Sequence, residues 1–184
     1  MSKIKKKKGN DKALIIGLSH GIIESLEGDY REKAYDDGYG TYTIGFGNTY
    51  IHDKHSGEIR RVRKGDVLTK SEGILNQRKL INTNYETVMT FLIQNNMDHR
   101  ISAYGKAALV SFVYNIGMDR FNNSDVASLI KHGRLSKAVK AIKASFITSK
   151  GVLSEGLVTR RDIESLLLSL SINNPYKTLL TYRN

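Results

Sequence analysis

Residues 22–47, IIESLEGDYREKAYDDGYGTYTIGFG, are the stretch from which the fold is read. Their start completes an apolar stripe, Leu18, Ile22 and Leu26, at the three-to-four-residue spacing of one helix face. Glu27 and Gly28 follow at once, so a carboxylate stands at the negative end of that helix. A polar loop then carries Asp36 and Asp37 among glycines, and TYTIGFG, 41–47, reads as a short Thr/Tyr/Ile strand. Helix, loop and strand in quick succession predict an α+β chain. The acids also suit a definite chemistry. A glycosidic oxygen leaves only when protonated, so one carboxyl must keep its proton while a second group manages charge or water opposite. A helix C-cap followed by an ordinary hairpin has the same spacing, and these residues alone leave both readings open.

Upstream, the first helix is expected to begin at a cap near Asn10 or Asp11 and to run through Ile15 and Leu18. Downstream, strands are expected at 42–46, 50–52 and 58–62, with residues 54–57 as a hairpin tip. Thr69 and Glu72 form a capping box, and the apolar pattern predicts a long helix from Lys70 to about Ile93. Shorter helices follow at roughly 102–117, 123–132, 135–146 and 158–171, the last with a weaker box at Thr159 and Asp162. The expected arrangement is a small β lobe over about 28–68 and a larger helical lobe over about 69–172, joined by the long helix. Together, 13–184 make a single domain.

Composition narrows the partners. The chain has 184 residues and no cysteine, so neither disulfides nor thiolate metal ligands hold it together. Its net charge of +11 calls for an anionic partner or surface. Nucleic acid is disfavoured, because there is no helix-turn-helix cue, aromatic RNA-binding strand or zinc-finger spacing. Residues 1–12, rich in lysine, are expected to be a flexible basic arm. The apolar run after them is too short for a signal sequence, and no stretch is long enough for membrane insertion. His52 and His55 have an H-x-x-H spacing but lack a third ligand nearby, so no metal is expected.

Three ordered segments go further. Glu27-Gly28, Ala34-Tyr35, an aspartate and TIGFG from Thr43 resemble the signature of phage lysozymes, glycoside hydrolase family 24. ALVSFVYNIGMDRFNNS from Ala108 and GLVTRRDIE from Gly156 are similar to the matching family segments, in the same order. The resemblance implies a lysozyme-like fold and an endolysin, a muramidase cleaving peptidoglycan glycan strands without a cofactor. It implies a monomer held in the host cytoplasm until release to the cell wall, which it then lyses. The alternative is a catalytically impaired lysozyme-like module that only binds the wall.

By the same resemblance Glu27 is the general acid and Thr43 holds a water. The family's spacing to the threonine selects Asp37 as the ionised partner, whereas the spacing from the glutamate selects Asp36, because one extra residue lies between Gly28 and Tyr35. Arg160 is implied to orient Glu27. Asn48 stands where the family commonly has histidine. Tyr35, Tyr39 and Tyr42 offer flat faces for sugar rings.

Overall fold

The computed structural model describes residues 2–172 except 39, 54, 55 and 150, so Tyr39 and His55 lie outside the described residues. The first helix, α1, spans Ser2–Leu26 and thus begins well before the expected cap at Asn10 or Asp11. No helix breaker precedes Gly9, and the lysine block is itself a fair helix former, so the backbone continues through it. Four short strands follow: β1 Arg31–Asp36, β2 Tyr42–Gly45, β3 Tyr50–His52 and β4 Ile59–Arg61. The helical part comprises α2 Lys70–Gln94, α3 Ala103–Ile116, α4 Met118–Asn122, α5 Asp125–Lys131 and α6 Leu135–Ala144. A hairpin of β5 Thr148–Ser149 and β6 Val152–Leu153 leads into α7 Glu155–Ser169. Among the described residues, seven helices with small antiparallel sheets make an α+β fold.

Strand β1 corrects the expectation of a loop carrying the acids. Its sequence, REKAYD, lacks apolar alternation, and pairing with β2 rather than local propensity makes it a strand. Arg31 pairs with Gly45, Tyr35 with Thr43 and Asp36 with Tyr42, so β1 bulges between Arg31 and Tyr35. Between those two pairs β1 carries two more residues than β2. Helix α7 also begins earlier than expected. Ser154, not Thr159, accepts from the backbone N–H at the third position, so Arg160 and Arg161 lie inside the helix instead of opening it. The β5–β6 hairpin and the short α4 were not anticipated, being too brief to show a period.

Two apolar clusters organise these elements. In the β lobe Ile44, Ile51, Val62 and Leu68 are buried together, with Ala34 and Tyr42 packed against them. The larger cluster is centred on α3, where every residue from Ala107 to Val113 is buried. That helix packs against α1, α2 and α7, which is why its sequence is apolar on all sides. Helix α2 links the clusters and starts with the complete Thr69–Glu72 capping box. Its Gly73 admits Tyr30, whose ring occupies the space of a Cβ. The Tyr30 hydroxyl in turn reaches the carbonyls of Leu68 and Thr69, at 2.9 and 2.6 Å. This clamp fixes the chain just past Glu27 against the start of α2.

Candidate active site

Glu27 follows the last residue of α1, and its N–H still donates to Ile23 at 3.1 Å, so the helix axis aims the residue. Its side chain is 13% exposed, and that of Arg160, from the middle of α7, is 6% exposed. Arg160 Nη2 donates to Glu27 Oε1 at 3.2 Å. Burial pushes the Glu27 carboxyl above its ordinary range; the Arg160 charge and hydrogen bond pull it back without cancelling that effect. Gly47 approaches from the β lobe at φ +81°, a conformation open to glycine, and a Cβ there would lie 3.7 Å from Glu27 Oε2.

Behind this pair Asn48 has a partner the sequence did not reveal. Asn48 is buried and donates through Nδ2 to the Tyr114 hydroxyl at 2.5 Å. Gln77, also buried, lies beside the same hydroxyl. Burial first, and then the nearby Glu27 charge, push Tyr114 up to about 12, so it remains a neutral phenol. Tyr114 sits within ALVSFVYNIG, and its polar tip on a buried helix was the one local sign that it needs a partner. Asn48 is also fixed by its backbone, which exchanges hydrogen bonds with Ile44 at 3.0 and 2.9 Å.

The β1–β2 hairpin sorts the other candidates onto two faces. Paired residues share a face and successive residues alternate. Tyr35 and Thr43 therefore lie on one side, while Ala34, Asp36, Tyr42 and Ile44 lie on the other. The second side is the one packed into the β-lobe cluster, and Tyr42 is part of that packing. Asp37 N–H donates to the Thr41 carbonyl at 3.0 Å, so the ladder continues one step and puts Asp37 on the side of Thr43. Asp36 is exposed, and its Oδ1 accepts from Gly38 and Gly40 N–H at 2.8 and 3.1 Å, closing the turn. Asp37 is half-buried, with Oδ1 accepting from Thr41 N–H at 3.2 Å. Tyr35 lies beneath the Arg31 guanidinium, 4.3 Å from the ring centroid. Among the described residues, Thr43 Oγ1 and Arg160 Nη1 are buried without a hydrogen-bond partner.

Next to Arg160, Arg161 forms a second ion pair. Arg161 Nη1 contacts Glu164, Nη2 contacts Asn115, and Glu164 Oε1 accepts from Ser111 Oγ at 2.7 Å. The Arg161 guanidinium also lies 4.5 Å from the Phe112 ring centroid. These contacts key α7 to α3 and so set where Arg160 reaches.

A partly buried carboxyl with a raised pKa is better suited than an ordinary one to give a proton to a leaving oxygen. Here that carboxyl is set at the end of a helix and approached by a small β lobe. The sequence profile described as phage lysozyme matches residues 24–164. An endolysin of Acyrthosiphon pisum secondary endosymbiont phage 1 is 30% identical over 150 residues, covering 79% of this chain and 91% of that protein. Among solved structures, the muramidase domain of SpmX from Asticaccaulis excentricus superposes with a TM-score of 0.62 at 24% identity, over 82% of this chain and 93% of that one. The active form of P1 phage endolysin Lyz gives 0.61 at 21%, over 86% of each chain. At these identities the two structures speak to the fold. The chain belongs to the phage lysozyme family, and as a member it is a lysozyme-type glycoside hydrolase.

Proposed function

We propose that the protein is an endolysin, an N-acetylmuramidase that hydrolyses the β-1,4 bond between N-acetylmuramic acid and N-acetylglucosamine in peptidoglycan and thereby lyses the host. It acts as a monomer without metal or organic cofactor, and it waits in the host cytoplasm before reaching the wall. Among the described residues no helix is long and apolar enough to cross a membrane. The observation that carries this reading is the Glu27–Arg160 pair at the end of α1. Glu27 is the general acid: burial raises its pKa above the ordinary carboxylate range, and the Arg160 contact fixes the rotamer from which the proton is donated.

Asp37 is the ionised partner, and Thr43 holds the water through its free hydroxyl. The shared hairpin face supports Asp37, whereas Asp36 lies on the opposite face and its carboxylate closes the turn. Tyr35, on the side of Thr43, is the better placed of the two described tyrosines to meet a sugar ring. Asn48 acts from behind, holding Tyr114 against the site. The test is Glu27→Gln on purified peptidoglycan, with product masses recorded. An amide cannot donate the proton, so clearing should fall by about 10²–10⁴-fold. The native enzyme should lose activity on the alkaline side as Glu27 ionises, at a pH above the ordinary carboxylate range. Clearing at the native rate by a folded Gln variant would remove Glu27 from the mechanism. A native chain that binds the wall without releasing products would be a binding module.

A further inference from the structure

Residues 126–154 contain no aspartate or glutamate, while basic residues recur at every third position in Lys131, Arg134, Lys137, Lys140 and Lys143. Helix α6 gives this pattern a direction. It buries Leu135, Ala138 and Ile142 and exposes Lys137, Lys140 and Lys143. Lys143 is tied to Asp162 of α7 at 3.0 Å. Lys137 and Lys140 have no such partner among the described residues, so their charge faces outward.

The chain then turns at Phe146, held at φ 53° with its ring against Phe112 at 5.9 Å. The β5–β6 hairpin projects from that turn and is closed at its base by Ser154 N–H donating to Ile147 at 3.0 Å. Its second strand carries Val152, 69% exposed, and Leu153, 62% exposed. Neither side chain contributes to either core cluster. An exposed apolar residue alone needs no explanation. Two in succession on an exposed hairpin strand, one on each side of it, following an acid-free cationic helix, have the composition of an element that sits in a membrane interface.

We propose that α6 and the β5–β6 hairpin form a surface for an anionic lipid bilayer, with Lys137 and Lys140 at the headgroups and Val152 and Leu153 entering the headgroup–acyl boundary. A hydrated polyanion such as a wall phosphate polymer would match the lysines and leave the two apolar side chains in water. A bilayer matches both.

The experiment is cosedimentation of the full chain at low salt with phosphatidylglycerol/phosphatidylethanolamine vesicles, and with phosphatidylcholine vesicles as the neutral control. Only the anionic vesicles should pellet the protein. Lys137→Gln/Lys140→Gln should weaken binding by about 25-fold, near fivefold per lysine at a charged surface. Val152→Ser/Leu153→Ser should weaken it as well, although the charge is unchanged. Neither pair should alter hydrolysis of purified peptidoglycan. Native-strength binding by either pair would overturn the proposal. So would loss of binding only when Lys5–Lys8 are changed to Gln, or binding to purified wall but not to anionic vesicles.

Discussion

Glu164→Ala should be among the most destabilising single changes outside the apolar core. Arg161 and Glu164 have side chains with 0% exposure, one turn apart on α7. Burial pushes the Glu164 carboxyl above its usual range despite Arg161 beside it, so the pair exists against a large desolvation cost. Removing the carboxylate leaves a buried guanidinium with only the neutral Asn115 oxygen as hydrogen-bond acceptor and the Phe112 ring beside it, and it strips Ser111 Oγ of its acceptor. Loss of one member of a buried pair costs about 3–5 kcal/mol. At about 2–4 °C per kcal/mol for a chain of this size, the melting temperature should fall by about 6–20 °C. Glu164→Gln keeps an acceptor without the charge and should fall between native and Ala. Arg161→Met/Glu164→Leu should recover most of the loss, because an apolar pair of similar volume escapes desolvation. Denaturant unfolding of the three variants, followed by circular dichroism, measures this. A loss below about 1 kcal/mol for Glu164→Ala, or a double variant no more stable than the single, would refute the reasoning.

Other perturbations probe the lobe contact and the site. Asp37→Asn should remove most peptidoglycan hydrolysis and Asp36→Asn little, with folding checked separately; the reverse pattern would assign the chemistry to the aspartate that closes the turn. Gly73→Ala would gain about 1 kcal/mol of helix propensity but drive a Cβ into Tyr30, which its two carbonyl contacts hold in place. A net loss of about 1–3 kcal/mol in chemical denaturation is expected, and Tyr30→Ala in the same background should cancel the steric part. Arg60 grips Asp66 with both Nη groups, at 2.8 and 2.9 Å, and holds that carboxyl below its usual range. Its contribution is therefore present above the unfolded carboxylate pKa and is lost as pH falls through the lower folded value. Arg60→Met should flatten that acid limb of the stability curve.

Where local chemistry is self-sufficient, the sequence determined the structure. Thr69 and Glu72 satisfy each other's backbone within one turn, so α2 begins where the capping box says. The all-round apolar run from Ala107 can only be a central helix, and Glu27 follows the last stripe of α1 whatever surrounds it. Strand β1 was illegible because REKAYD has no pattern of its own and becomes a strand only through β2. The face on which Asp37 falls depends on that same pairing, since a shift of one residue exchanges the two sides. Arg160 and Arg161 are adjacent and chemically identical, yet one meets Glu27 from α1 and the other is sealed against α3. Only the packing of α7 decides this, because helical neighbours point about 100° apart and the sequence does not say which elements wait on either side.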